Sequence, residues 1–265
     1  MNVAIVGRGR VGTALASALR DAGIPCQHMP GRRPSEKPIA SADVVILAVS
    51  DPVIRACAQQ LLAWLQPGAA VLHCAGARSP DELVACRTIG AHVGVMHPLV
   101  SFADPERPPS LRGATFITAG DAPAIRAAQG VAHALGATVV VTPIHGPVYH
   151  ALVALVANGT VALANAAIPT LERLGLERRH AEHAIAALLK TVAENVETLG
   201  VPKALTGPMA RGDAAAIAAH RTALRQSAPD AAAAYDAIAP LVLRCAIDTG
   251  LPAERASELR AALSR

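Results

Sequence analysis

The chain has 265 residues, of which 52% are hydrophobic but only 2% aromatic, and its formal net charge is +4. A chain of this length can form two ordinary domains, whose cores must be built from Ala, Val, Leu and Ile. So few aromatic rings offer no stacking platform for bases, and the arginines are scattered, so a nucleic-acid partner is not expected. The modest positive charge favours a small anionic partner instead.

Short runs rich in Val, Ile and Ala alternate with helical patterns from residue 2 to about residue 142. This alternation is typical of parallel strands joined by helical crossovers, with both faces of the sheet covered. Residues 1–145 are therefore predicted to form an α/β domain with a doubly wound, Rossmann-type parallel sheet. The strand candidates are VAIVG, ADVVILAVS, AAVLHCAG, HVGVMH, ATFITAG and ATVVVTP.

The first strand, VAIVG, leads directly into a glycine-rich turn and then a helix. In this GxGxxG pattern, Gly7 permits the tight turn, Gly9 lets a pyrophosphate approach the backbone, and Gly12 allows close packing of helix and strand. The phosphates would meet the N-terminus of that helix. A dinucleotide is predicted to bind on the turn made of Gly7, Arg8, Gly9, Arg10, Val11 and Gly12.

About twenty residues farther on, an NAD-binding chain would carry an acid for the ribose hydroxyls. This chain instead has Arg32 and Arg33, and the next carboxylate is Glu36. Arginine can bind a 2′-phosphate through two parallel hydrogen bonds, whereas a carboxylate would repel it. The pattern favours NADP over NAD, and the alternative is that both arginines are merely solvated.

Beyond Pro147 the strand pattern disappears and long Ala/Leu-rich runs with helical spacing take over. Residues 146–265 are therefore predicted to form an all-α C-terminal domain that binds substrate and dimerises. Gly175, Gly200 and Gly250 follow three of these runs, where a left-handed helix C-cap is expected.

The first helix of this domain lies in a stretch from Gly146 to Leu171 that carries no formal charge. It is long enough to cross a membrane, but polar side chains interrupt it, so a membrane segment is not expected. These are His150, Asn158, Thr160 and Asn165. A helix that is apolar nearly all round implies burial, either at the centre of the domain or at a dimer interface. We predict a homodimer built through the C-terminal domain.

The five cysteines form no CxxC pair and show no zinc-site spacing with histidine, so no metal is expected. Reduced thiols fit a cytoplasmic protein best. The N-terminal stretch MNVAIVGRGR also lacks the basic head and long apolar run of a signal peptide. A cytoplasmic location is therefore expected.

Several longer motifs together resemble a known family. They are GRGRVGTALA, ADVVILAVSD, HCAGARSPDEL, GVMHPLVSF, YHALVALVAN and ALTGPMARGDAAAIAAH. Across essentially the whole chain they are similar to a family of Rossmann-like oxidoreductases that carry a C-terminal helical domain of unknown function. More distantly, the layout resembles pyrroline-5-carboxylate reductase, ketopantoate reductase and the β-hydroxyacid dehydrogenases, and the helical part resembles the C-terminal domain of 6-phosphogluconate dehydrogenase.

The resemblance implies an NADPH-dependent oxidoreductase that transfers a hydride to a small carboxylate-bearing 2-oxo acid, ketopantoate-like, or to a cyclic imine. The β-hydroxyacid dehydrogenases place a catalytic lysine one turn before an asparagine on the first helix of the second domain. If Asn158 matches that asparagine, the lysine position is Ala154, so the usual acid is absent. The alternative is an NADP(H)-binding sensor or assembly module without catalytic activity.

In these relatives the segment that matches Val49, Ser50 and Asp51 would pass beneath the nicotinamide. Reduction of a carbonyl or imine also needs a proton donor within hydrogen-bond reach, and histidine is the commonest choice. His97, at a strand end, and His150 are the candidates, and each could instead be an ordinary buried or capping histidine.

The stretch ALTGPMARGD, residues 204–213, interrupts the helical half with two glycines, a proline and an arginine. Pyrroline-5-carboxylate reductases carry a comparable loop in a similar place, and the resemblance implies that Thr206, Gly207 and Arg211 hold the substrate carboxylate. The alternative is a well-capped turn between helices, with Arg211 paired to Asp213.

Overall fold

The computed structural model describes residues 1–264. The chain divides into two compact units, Met1–Ala157 and Asn158–Arg265. The division falls within one long helix, whose first residue is Pro147, and the boundary at 145/146 stays a prediction.

The first unit is built on a seven-stranded sheet with the order β2-β1-β3-β4-β5-β6-β7. The chain passes from β1 to β2 on one side and then crosses back over β1 to β3, which is the arrangement of a doubly wound sheet. The fold predicted from the sequence is confirmed. The strands are β1 Val3–Val6, β2 Cys26–Met29, β3 Val44–Leu47, β4 Ala70–His73, β5 His92–Pro98, β6 Thr115–Gly120 and β7 Thr138–Val141.

One pairing departs from the predicted parallel sheet, because β6 runs antiparallel to β5, with Val95 opposite Ala119. Parallel neighbours need a long crossover connection, usually a helix. The connection 99–114 contains only turns and bends, so β6 returns alongside β5 in the opposite direction. The other five pairings are parallel.

Helices cover both faces of the sheet, so the alternating side chains of β1 are buried on both sides. Ala4 and Val6 belong to one buried cluster, which they share with α3. Val3 and Ile5 point to the other face, into the cluster that contains residues of α1 and α5. The helices of this unit are α1 Arg10–Asp21, α2 Glu36–Ala40, α3 Ile54–Leu61, α4 Val84–Arg87 and α5 Ala122–Ala134.

The remaining helices confirm the all-α prediction for the C-terminal half. They are α6 Pro147–Arg173, α7 Arg178–Leu199, α8 Pro208–Arg211, α9 Ala214–Ser227, α10 Pro229–Asp248 and α11 Ala253–Ser264. Gly175, Gly200 and Gly250 follow three of them with positive φ angles of 98°, 70° and 97°. All three thus adopt the positive φ that was predicted, although Gly200, with a ψ angle of 173°, lies outside the left-handed helical conformation.

A buried arginine connects three helices of the second unit. Arg221, on α9, is 8% exposed. Its Nε donates to Asp236 Oδ1 on α10 at 2.7 Å, and its Nη1 donates to the carbonyl of Ala262 on α11 at 2.6 Å. A buried guanidinium needs such partners, because an unpaired charge is costly to remove from water.

The long helix α6 is not the buried core helix that was one of the two predicted alternatives. Ile168 is its only buried residue within the described part of the chain. Leu152, Leu155 and Val156 are 60%, 67% and 72% exposed. By length and composition alone, α6 could cross a membrane, with a mean hydropathy of 1.8 over its most apolar window. Its apolar surface is therefore available to a partner.

Candidate active site

The carboxyl ends of β1 and β3 lie side by side at the point where the strand order reverses. In open α/β sheets, ligands bind in the crevice at such a switch point. The two ends are joined directly, because the Ala48 N–H donates to the Val6 carbonyl at 2.8 Å. The glycine turn that follows β1 opens at this position.

The first and last glycines of the turn are required by packing. A Cβ on Gly12 would lie 1.9 Å from the carbonyl oxygen of Gly7. A Cβ on Gly7 would lie 2.2 Å from the carbonyl oxygen of Ala48, and the φ angle of Gly7 is +125°, which favours glycine. Because neither residue carries a side chain, α1 can pack closely against the sheet.

Gly9 differs, because a Cβ there would meet no atom within 4 Å. Gly9 is the N-cap of α1, where no side chain caps the helix and no acidic residue stands in the first turn. The first N–H groups of α1 therefore have no capping side chain, and the space beside Gly9 is open. This arrangement suits the pyrophosphate of a dinucleotide, which can approach the backbone and accept from those N–H groups.

The end of β2 is tied to the same turn by two contacts that the sequence did not suggest. His28 Nε2 donates to the carbonyl of Gly7 at 2.9 Å. The guanidinium of Arg8 donates to the carbonyl of His28 at 3.3 Å. These bonds hold the loop after β2, which carries Arg32 and Arg33, beside the turn.

Arg32 and Arg33 are exposed. Neither has an ion-pair partner among residues 1–264. Two unneutralised guanidinium groups at the end of β2 could bind a phosphate that extends from the ribose of a dinucleotide.

The segment after β3 completes this side of the crevice. Val49 packs against the loop after β2, because a Cβ on Gly31 would lie 2.7 Å from Val49 Cγ1. Ser50 is exposed. The Asp51 carboxylate lies 3.8 Å from Nε of Arg78, which follows β4.

Farther along the carboxyl edge, the structure brings together two of the predicted histidines and a tyrosine that the sequence analysis did not select. His97 Nδ1 lies 2.9 Å from the hydroxyl oxygen of Tyr149, and the two rings meet edge to face at 84°. The ring centroids of His97 and His150 are 6.2 Å apart. The residues at the end of β5 and the start of α6 thus form one polar cluster.

Burial and the neighbouring His150 lower the pKa of His97 to about 4, against a partial opposing effect of Asp51. His97 is therefore a neutral imidazole at physiological pH. Burial also lowers the pKa of His73. The neutral ring of His73 uses both nitrogens, because Nε2 donates to the Ser79 carbonyl and Nδ1 accepts from the Ala75 N–H.

Cys74, which follows β4, offers no nucleophile to this edge. Burial raises the pKa of its thiol to about 12, so the reactive thiolate is scarcely populated. All five cysteines are free thiols in the described chain.

The other predicted site residues lie in the second unit. Asn158 is exposed on α6. Thr206 and Gly207 precede the four-residue helix α8, and Arg211 ends it with an exposed side chain. Asp213 does not pair with Arg211 in the described chain; it caps α9 by accepting from the Ala216 N–H at 3.0 Å. A carboxylate therefore already occupies that helix N-terminus, and the substrate-binding role of Arg211 stays a prediction.

The comparisons with known proteins agree with this architecture. Residues 114–241 match the family described as Domain of unknown function (DUF2520). No functionally curated protein matches the sequence. The resemblance to Rossmann-like proteins with a C-terminal helical domain of unknown function is confirmed.

Three solved structures illustrate the fold. A protein from Thermotoga maritima has a TM-score of 0.69 at 23% identity, covering 93% of this chain and 99% of that one. Pyrroline carboxylate reductase from Plasmodium falciparum, with NADP bound, has a TM-score of 0.63 at 12% identity, covering 99% and 98%. An imine reductase from Bacillus cereus has a TM-score of 0.55 at 14% identity, covering 99% and 97%.

Proposed function

We propose that this protein is an NADPH-dependent oxidoreductase that reduces a small carboxylate-bearing 2-oxo acid or cyclic imine. One observation carries the proposal: an uncapped helix N-terminus beside the open Gly9 position, next to Arg32 and Arg33. The backbone N–H groups would hold the pyrophosphate, and the arginines would hold the 2′-phosphate.

When bound, NADPH would supply a hydride to the carbonyl or imine carbon. The cofactor would extend from the glycine turn along the carboxyl edge, past Val49, Ser50 and Asp51 towards His97 and His150. Hydride addition makes the substrate oxygen or nitrogen more basic, so that atom must receive a proton. The cluster at the end of β5 is the part of this edge that can supply one.

The choice of substrate class rests on anion recognition and on fold neighbours. Arg211 offers an exposed guanidinium on the loop 204–213, and a carboxylate is a ligand that guanidinium binds well. Two fold neighbours act on C=N bonds by their names, an imine reductase and a pyrroline carboxylate reductase. The proposed substrate therefore carries both a carboxylate and a C=O or C=N bond.

NADPH oxidation measured across a panel of 2-oxo acids and cyclic imino acids tests the proposal. We expect at least one member to be reduced with stoichiometric consumption of NADPH. Tight NADPH binding with no consumption across the panel would favour the second candidate, an NADP(H)-binding sensor or assembly module. The absence of lysine at Ala154 is the observation that favours that candidate.

Cofactor choice gives a separate prediction. Replacing Arg32 and Arg33 together by alanine should weaken NADPH binding by about 1.5–3 kcal/mol, the range for hydrogen bonds to charged groups. NADH binding should not change, because NADH lacks the 2′-phosphate. Calorimetric titration of both cofactors measures the difference, and Arg126→Ala, an exposed arginine on α5, is the control. Equal affinities for NADH and NADPH in the unaltered protein would contradict the assignment.

We also propose that two copies associate through α6. Its exposed leucines and valines form an apolar surface that water solvates poorly, and a second copy would cover it with an identical face. Light scattering at micromolar concentration should give twice the chain mass, and Leu155→Arg should give the single mass. A single mass for the unaltered protein, or recovery only with membranes, would refute the dimer.

A further inference from the structure

The contact between His97 and Tyr149 lies outside the cofactor features and links two distant parts of the first unit. His97 is the second-last residue of β5, directly before Pro98, and Tyr149 is the third residue of α6. Their hydrogen bond joins residues 52 positions apart at 2.9 Å. Both side chains are half-buried, so neither is fully shut off from solvent.

The surrounding backbone fixes this pair. The ring of His97 lies directly over Gly76, where a Cβ would come within 2.7–2.9 Å of three ring atoms. The carbonyl of the same glycine accepts from the Gly146 N–H at 3.1 Å, one residue before α6 begins. Gly76 therefore leaves the space that the imidazole of His97 occupies. Its carbonyl also holds the start of the helix that carries Tyr149.

The chemistry of the pair depends on which group donates. A phenol has one proton, so a tyrosine that donates to imidazole has none left for another acceptor. If His97 carries its proton on Nδ1 and donates to the Tyr149 oxygen, the phenol proton is free to face the crevice. The same N–H would stabilise the phenolate that remains after the proton has left.

We propose that Tyr149 is the proton donor of the reduction and that His97, with its proton on Nδ1, is the residue that positions it. This inference rests on the proposed reductase function. As the substrate carbon gains the hydride, the C=O or C=N π electrons move onto the heteroatom. That atom then forms a bond to the Tyr149 proton, and the O–H bond of Tyr149 breaks. A proton from the solvent restores the phenol after product release, so the reaction consumes one proton overall.

The electrostatics of the edge fit these roles. His97 stays neutral well below physiological pH because burial and His150 lower its pKa, so it has no spare proton to give at neutral pH. Burial raises the pKa of Tyr149, which keeps the phenol protonated until a substrate accepts from it. Asp51, His73 and His150 are the other charged or titratable groups that act on His97.

Tyr149→Phe tests the donor with a matched control. The chain contains two tyrosines, and the other, Tyr235, also meets a histidine edge to face, with ring centroids 6.2 Å apart. Tyr149→Phe should lower kcat by about 10²- to 10⁴-fold, the usual contribution of a general acid, and leave NADPH affinity unchanged. Tyr235→Phe should retain the activity of the unaltered protein.

His97 variants test the positioning role. His97→Asn places an amide N–H near the position of Nδ1, whereas His97→Leu places no donor there. His97→Leu should lose about tenfold in kcat, which corresponds to one hydrogen bond, with little change in KM. His97→Asn should recover most of that loss, whereas a merely structural role would predict similar effects from both.

A measurement without substrate completes the test. Nitrogen-15 spectra of histidine-labelled protein report which ring nitrogen carries the proton, and the His97 signals are those lost in His97→Asn. Protonation at Nδ1 supports the proposal, and an Nδ1 that accepts overturns it. Turnover by the unaltered protein and equally by Tyr149→Phe would overturn the donor and leave the reductase standing. Binding of NADPH without turnover of the panel would overturn the reductase, and the donor with it.

Discussion

Gly12→Ala is expected to destabilise the Rossmann-type unit by about 3 kcal/mol, the upper end of ordinary overpacking costs. The added methyl would lie 1.9 Å from the Gly7 carbonyl oxygen, and neither backbone can move without separating α1 from β1. Thermal unfolding followed by circular dichroism measures the loss. An unchanged melting temperature would mean that α1 is not packed against the turn as described.

Gly9→Ala is the matched control, because it adds the same methyl to the same turn without a neighbour within 4 Å. We expect normal stability but much weaker NADPH binding, since the methyl occupies the path by which the pyrophosphate approaches the backbone. Fluorescence titration of NADPH separates the two effects. Full NADPH affinity in Gly9→Ala would show that the phosphates bind elsewhere.

Asp236→Ala is expected to destabilise the helical unit strongly, because it leaves the guanidinium of Arg221 buried and without its carboxylate. Removing one partner of a buried pair costs about 3–5 kcal/mol. We expect the lower end of that range, since the Asp236 side chain is 36% exposed and solvent screens it in part. Denaturant unfolding measures the effect, and Asp248→Ala, exposed on the same helix, is the control.

A low pH should cause a similar loss of stability in the helical unit of the unaltered protein. Hydrogen bonds from Arg221 hold the pKa of Asp236 below its ordinary value of 3.8. The stabilisation is therefore complete above that value and disappears as the pH falls through the lower folded pKa. Asp236→Ala should show a shallower pH dependence of stability in this range. The same acid dependence in both proteins would place the stabilisation elsewhere.

The fold could be predicted from the sequence because the residue patterns that indicate it are local. Alternating apolar runs and helical spacing reveal a parallel α/β unit, and Ala/Leu-rich runs ending in glycine reveal the helices that follow. The direction of β6 could not be predicted from the strand itself, because no residue within ATFITAG distinguishes a parallel from an antiparallel neighbour. What determined it was the absence of a helix between β5 and β6.

For the same reason, the glycine turn could be predicted from the sequence, whereas the contact between His97 and Tyr149 could not. Gly7, Gly9 and Gly12 lie within six residues, so their spacing alone predicts their roles. His97 and Tyr149 are 52 residues apart, and only the folded chain shows that they touch. The sequence analysis selected His150 at the start of α6, whereas the adjacent Tyr149 makes the hydrogen bond with His97.

Burial of α6 could not be decided from composition. A helix with few charges is expected to be covered, but composition does not say whether its own unit or a second copy covers it. In the single chain, the largest side chains of α6 remain exposed. This exposure is the reason that we propose association of two copies through α6.

We propose that NADPH bound at this edge of the sheet transfers a hydride to a C=O or C=N carbon. Mass spectrometry of the product formed with NADPH in which both hydrogens at nicotinamide C4 are deuterium tests this proposal most directly. We expect one deuterium on the carbon that was part of the double bond, and none when unlabelled NADPH is used. A protein that binds the labelled cofactor but transfers no deuterium to any 2-oxo acid or cyclic imine would contradict the claim.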